Sequence, residues 1–104
     1  MTNDADWVEH AYDKLIAHLE EMLPTLLLDS HRRVLDEAGK MMVYQVDDVR
    51  ARHRYVLETT DPANPDADEV LRRIHELDVE LELCLQHGLD RLRELGHRFG
   101  AGEA

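Results

Sequence analysis

The sequence has few of the residues that form disulfides, loops or nucleophilic catalytic sites. It contains one cysteine, three prolines and five glycines, and Ser30 is its only serine. With Cys84 alone, no intrachain disulfide can form, and a reducing compartment is the natural one. Ser30 lies beside His31 in a helical pattern rather than after a strand, and no glycine-rich phosphate loop is present. We therefore expect neither an enzyme nor a bound cofactor.

Long apolar runs and an excess of basic residues are also missing. No apolar run approaches the roughly 18 residues of a transmembrane helix, and no basic-then-apolar leader begins the sequence. The formal net charge is −11, from 23 acidic and 12 basic residues. This charge opposes non-specific binding to nucleic acid or anionic membranes. We expect a cytoplasmic protein that contacts neither.

What the chain does contain is the pattern of amphipathic helices. Apolar residues recur at spacings of three and four over about residues 3–23, 25–60 and 65–98, as in the series Val8, Tyr12, Leu15 and Leu19. No stretch alternates as a strand would. The pattern predicts one all-α domain over residues 1–104, an antiparallel three-helix bundle with a tail at 100–104.

The predicted boundaries follow from a few capping residues. Thr2 or Asn3 can cap the first helix, and Pro24 predicts a tight turn at residues 23–25. Asn64 followed by proline predicts the start of the third helix. Gly100 is a candidate for its C-terminal cap, with Gly96 as an earlier alternative.

Gly39, in the middle of the second helical segment, leaves two alternatives open. A glycine followed by Lys40 can end a helix. However, the residues from Met41 to Tyr44 include none that would cap a new helix. We expect the middle helix to be bent or split near Gly39, and the missing cap favours one bent helix.

The three predicted helices differ in length. At 1.5 Å per residue they span roughly 30, 54 and 50 Å, so the first cannot cover the apolar seam of the other two. A second copy of the chain is the simplest cover, and we predict a homodimer with a core of four to six helices. Its predicted interface consists of Met41, Met42, Val46, Val49, His53, Val56, Leu81, Leu85, Leu92 and Leu95.

The charges are divided unevenly along the chain. The segments 1–30 and 61–104 are strongly acidic, whereas 31–60 is nearly neutral and carries five arginines. This layout predicts ion pairs from the middle helix to both neighbours, each worth at most about 1 kcal/mol when exposed. A second interpretation takes residues 50–54 as a basic patch for phosphate, which the acidic neighbours oppose.

Seven histidines raise the question of a metal site. Glu94 and His97 have the Glu-x-x-His spacing of di-iron bundles, but the chain has no second copy of that motif. Asp6, His10 and Asp13 share one face of the first helix and are weak zinc candidates. Both patterns are also typical of a solvated acidic helix, so we expect no metal.

His53 and Cys84 both fall on apolar helical stripes. We predict that His53 is a buried, hydrogen-bonded core or interface residue rather than a ligand. A buried cysteine behaves as a small apolar side chain, and we expect this of Cys84.

One resemblance adds to the fold prediction. Leu35-Asp-Glu-Ala-Gly-Lys-Met41, then Val46-Asp-Asp-Val49, and the earlier pair Tyr12 and Leu15 resemble the helical part of small bacterial zinc-ribbon-containing proteins of unknown function. The ribbon's paired cysteines are absent here, so no zinc is implied. Apolar residues replace the usual serine or threonine after the glycine, which puts a helix break there in doubt. The resemblance implies a helical hairpin scaffold.

The sequence therefore predicts a small acidic interaction or accessory protein that works through protein–protein contacts. Two alternatives stay open. One is a helical bundle that binds metal through His, Asp and Glu, and the other is an acidic inhibitor that mimics nucleic acid.

Overall fold

A computed structural model of the chain describes residues 4–101. They form three α-helices, α1 (Asp4–Met22), α2 (Leu28–Thr59) and α3 (Ala67–Ala101), with a short 3-10 helix at Leu23–Thr25. No strand occurs among these residues, and the helices pack against one another in a rod of 62 × 20 × 18 Å. The predicted all-α, three-helix fold is confirmed.

The predicted turn at residues 23–25 is the 3-10 helix that contains Pro24. The Leu26 amide donates a hydrogen bond to the Leu23 carbonyl at 3.0 Å, and the Thr25 hydroxyl donates to the Met22 carbonyl at 2.8 Å. Leu26 and Leu27 are then extended. The second helix consequently starts at Leu28, three residues later than the prediction of residue 25.

The loop between α2 and α3 uses the predicted Asn64. Its side-chain oxygen accepts a hydrogen bond from the Asp66 amide at 3.0 Å, which closes the turn before the helix. Regular helix begins at Ala67, two residues after the predicted start at 65. The caps predicted at Thr2 and Asn3 lie outside the described residues.

Glycine does not interrupt the helices. α2 continues through Gly39, so the alternative of a split helix is wrong. α3 continues through Gly96 and Gly100 to Ala101, past the end predicted at residue 98. No described glycine has the positive φ of a left-handed C-cap. Residues 102–104 of the predicted tail lie outside the described residues.

The core joins α1 to the hairpin of α2 and α3. Tyr12 of α1 is buried and donates a hydrogen bond to the Met42 carbonyl of α2 at 2.9 Å. Gly88 of α3 lies under the same ring, and a Cβ added there would be 2.8 Å from Tyr12 Cδ2. The missing side chain therefore permits the close approach of α1 to α3.

This core corrects the predicted interface. Six of its ten residues are only 0–5% exposed in the single chain: Met42, Val46, Val49, Leu81, Leu92 and Leu95. They hold the three helices together, so the prediction that they form a contact surface is wrong. Met41 (53%) and Val56 (41%) are exposed, and His53 and Leu85 are half-buried.

Substitution of two helical glycines should separate packing from helix propensity. Gly88→Ala should lower the free energy of unfolding by about 1–3 kcal/mol, because the new methyl group displaces the Tyr12 ring. In Gly39→Ala the nearest atom, Leu89 Cδ2, lies at an ordinary 3.7 Å. That variant should gain about 0.5–1 kcal/mol from the better helix former. Urea unfolding followed by circular dichroism measures both, and equal effects would contradict the packing described for Gly88.

Candidate functional site

The start of α1 marks the point where α1 stops covering the hairpin of α2 and α3. Asp4 Oδ2 lies 2.7 Å from His53 Nε2 of α2. The Ala5 carbonyl lies 3.8 Å from the Cys84 sulfur of α3. Within the described residues, the hairpin extends beyond these contacts without α1. We call residues 54–80 the arm, and its α3 part is about 21 Å long.

Apolar side chains are exposed along the arm. Leu71 is 44% exposed, and Tyr55, Val56 and Val79 are exposed as well. Two packed helices shield only one stripe on each. Exposed apolar residues also occur outside the arm, among them Trp7, Met41 and Tyr44.

A groove of about 570 Å³ runs between α2 and α3 at the arm. We call it the arm groove. Its apolar members are Leu57, Leu71, Ile74 and Leu81, and its polar members are Arg50, His53, Arg54, His75 and Asp78. Two arginines and two histidines line the arm groove beside one carboxylate, Asp78.

Arg50 is ion-paired within the protein. Its Nε donates to Asp78 Oδ1 at 2.9 Å, and its guanidinium also pairs with Glu82. The hydrogen bond that Arg50 donates to Glu82 raises the pKa of Arg50 against the opposing effect of burial, and the charge of Asp78 adds to the increase. Arg50 thus ties α2 to α3 where the arm begins. It is a structural cation rather than part of an open phosphate patch.

Arg54 lies one turn further along α2 and, unlike Arg50, has no ion-pair partner in residues 4–101. Its exposed side chain makes no ion pair or hydrogen bond within residues 4–101. His75, across the arm groove, makes none within these residues either. Arg54 is therefore a cation of the groove that forms no ion pair within residues 4–101.

His53 is hydrogen-bonded, as the sequence predicted, but it is not fully buried. Its side chain is 24% exposed, and its partner Asp4 belongs to the first turn of α1. The pair lies where the arm begins, and with the Cys84 contact it holds the start of α1 on the hairpin.

The zinc candidates on α1 do not converge. Asp6, His10 and Asp13 are all exposed, and Asp13 forms an ion pair with Arg91 of α3. No group of three potential metal ligands is found among the described residues. The i, i+4, i+7 spacing here describes a solvated helical face.

Glu94 and His97 line different grooves of the bundle. Glu94 lines a groove with Ile16 of α1, whereas His97 lines a groove with Leu28 of α2. Both side chains are exposed.

Cys84 is half-buried between α1 and α3. Burial raises the pKa of its thiol, and the charges of Glu9, Glu80 and Asp6 raise it further. Because the thiolate is the reactive form, this environment disfavours a nucleophile. The predicted role as a small apolar residue fits this position better.

Ion pairs between helices follow the predicted layout only in part. Two acids of α1 pair with arginines of α3, Asp13 with Arg91 and Glu20 with Arg98 at 3.7 Å, and Asp4 of α1 contacts His53 of α2. Arg50 supplies the link from α2 to α3. None of the helices in residues 4–101 offers an apolar stretch that would span a bilayer.

Comparisons with protein-family models, curated proteins and solved structures find no match. The resemblance to the helical part of zinc-ribbon-containing proteins stays a prediction. Function must therefore be argued from the geometry of this chain.

The arm groove is the feature that the sequence interpretation missed. Leu57, Leu71 and His75 were absent from the predicted interface, which was placed along the core stripe instead. The length mismatch between helices was the available signal. This mismatch indicates that part of the apolar stripe on the hairpin is uncovered. Which end of the hairpin is uncovered follows only from the position of Asp4 beside His53.

Arg50 provides a test of the ion pairs at the start of the arm. Arg50→Ala should lower the free energy of unfolding by about 1 kcal/mol, because two carboxylates lose a partly buried partner. The matched change Arg52→Ala removes only an exposed contact at 3.8 Å with Asp48 and should cost a few tenths. Urea unfolding at low and high salt measures both. The difference between the variants should shrink at high salt, and a cost for Arg52 equal to that for Arg50 would contradict the arrangement.

Cys84 should react slowly with alkylating agents. Its raised pKa means that the folded chain holds the thiol protonated at pH values where an unfolded chain ionises. Folding stability should therefore fall as pH rises above the ordinary thiol pKa of about 8.5. The rate of iodoacetamide labelling against pH should be displaced to higher pH relative to the urea-unfolded chain. Coincident profiles would show that the fold does not perturb Cys84.

Proposed function

We propose that this chain is a small interaction or accessory protein of the cytosol that works through protein–protein contacts, and that the arm is its contact surface. The observation that carries the proposal is the mismatch between α1 and the hairpin. α1 has 19 residues, whereas α2 has 32 and α3 has 35. Within the described residues, α1 therefore stops covering the hairpin while apolar residues continue along α2 and α3.

A homodimer is the proposed working form. The second copy is always present at the same concentration as the first, and it offers the same exposed apolar side chains. Two-fold symmetry lets one surface serve both partners. Burial of Leu71, Val56 and their neighbours stabilises such a contact by about 25 cal/mol per Å² of apolar surface removed from water.

The two alternative functions have less support. A metal-binding bundle needs converging ligands, and the candidates on α1 and α3 face different neighbours. A nucleic-acid mimic needs a one-sided array of unpaired carboxylates. Here Asp13 and Glu20 of α1 face arginines of α3. Neither alternative has an observation in its favour.

The mass of the chain in solution tests the proposal. Light scattering coupled to size exclusion, at micromolar concentration, should give about twice the chain mass of 12.1 kDa. Leu71→Glu should shift the population to the monomer, because a buried carboxylate without a partner costs several kcal/mol.

A matched control uses Leu27→Glu. Leu27 is 81% exposed and lies at the other end of the bundle, between α1 and α2. This variant should remain dimeric. A monomeric wild-type chain would remove the homodimer, and a dimer that survives Leu71→Glu but not Leu27→Glu would place the contact away from the arm.

A further inference from the structure

We propose that the hairpin carries a phosphate-binding site at the end opposite the arm, whose ligand is a phosphate group, free or on a small organic molecule. The site is a pocket of about 270 Å³ between the first turns of α2 and the last turns of α3. We call this pocket the end cleft. The proposal goes beyond the proposed function, because it does not require the arm to be a contact surface.

Basic side chains from both helices meet in the end cleft. Arg32 and the buried His31 come from α2, and Arg93 and His97 come from α3. None of the described residues that line the end cleft is acidic, although acids outnumber lysines and arginines in the chain by 23 to 12. A pocket lined by one sign of charge attracts ligands of the opposite sign.

The two arginines are open to a ligand. Arg32 forms no ion pair within residues 4–101. Arg93 contacts Asp90 of its own helix at 3.4 Å, and the two side chains are 71% and 70% exposed. So exposed a pair is weak, and an anion in the end cleft can compete with it. Arg50 in the arm groove differs, since Asp78 and Glu82 both accept hydrogen bonds from its guanidinium.

The spacing of residues along the two helices produces the end cleft. On α3 the lining residues run from Arg93 to Gly100 in steps of three, one and three, which places them on one face. A Cβ added at Gly100 would meet no atom within 4 Å, so this face is recessed. Leu28 and Leu35 of α2 give the end cleft an apolar side. Its volume lies near the lower limit of roughly 300 Å³ for small-molecule pockets, which suits a phosphate with a small organic part.

The arrangement of donors favours phosphate over carboxylate. A guanidinium donates paired hydrogen bonds to the oxygens of either group. A carboxylate offers two oxygens, whereas the terminal phosphate of a monoester offers three, enough for Arg32, Arg93 and an imidazole. The start of α2 adds to the attraction, because Leu27 supplies no side-chain cap and free amides at a helix start favour anions. Asp29 is exposed in that turn but does not line the end cleft.

Phenyl phosphate, inorganic phosphate and benzoate are the probes that test the proposal. Titration calorimetry at low salt should give a dissociation constant for phenyl phosphate of about 1 mM or tighter. Benzoate carries a carboxylate on the same ring and should bind at least about fivefold more weakly. Inorganic phosphate separates the two sources of the ligand. Weaker binding than phenyl phosphate assigns an ester, equal binding assigns the free ion, and either result supports a phosphate site.

Arg32→Gln and Arg93→Gln should each weaken the binding of phenyl phosphate about tenfold, because each removes charge-assisted hydrogen bonds. Arg33→Gln is the matched control. Arg33 is the next residue of α2, is exposed and does not line the end cleft, yet its substitution removes the same charge. The control should bind within about twofold of wild type. Circular dichroism confirms that the three variants are folded.

Weakening at positions 32 and 93, with a silent control at 33, is the supporting result. The proposal is overturned if neither phosphate probe binds at about 10 mM, if Arg33→Gln weakens binding as much as Arg32→Gln, or if benzoate binds as tightly as phenyl phosphate. Leu71→Glu, at the opposite end of the hairpin, should bind phenyl phosphate as wild type does. Failure of the homodimer at the arm is therefore distinguishable from failure of this site.

Discussion

The structure depends on one constraint: an apolar stripe on a helical hairpin must be covered, and α1 covers only part of it. The bundle is complete where Tyr12 lies over Gly88 and reaches the Met42 carbonyl. Within residues 4–101, it is incomplete beyond Asp4, where α2 and α3 continue as a pair. The extent of the arm follows from where α1 lies along the hairpin.

The ion pairs also differ between the part of the hairpin that α1 covers and the arm. Within the covered part, acids of α1 are paired with arginines of α3, and Arg50 links α2 to α3. In the arm, Glu69 and Glu76 pair with Arg72 and Arg73 of the same helix, whereas Arg54 and Asp68 form no ion pair within residues 4–101. Paired charges contribute modestly to stability at an exposed surface. Unpaired ones of both signs are better suited to orienting a partner than to holding the fold.

Local patterns predicted the fold class, and non-local contacts caused the errors. The three- and four-residue spacing identified three helices and the turn at Pro24 because those signals act within a few residues. Gly96 and Gly100 were expected to end α3, but both remain helical. Packing against Leu35 holds Gly96, since a Cβ there would lie 3.0 Å from Leu35 Cδ1. Propensity is a weak prior that tertiary contacts override.

The candidate site was likewise predicted in part from local patterns and in part misplaced. From the sequence, a shortage of cover was predictable, yet Met42, Val46 and Leu81 were assigned to an interface although they are core. Periodicity identifies the apolar face of a helix but not how far along it the cover extends. The chain by itself determined the all-α class, the acidic surface and the unequal helix lengths, because these are properties of composition and spacing. Only the tertiary structure decided which end of the hairpin is bare, since that depends on the register in which α1 packs beside Gly88 and stops at His53.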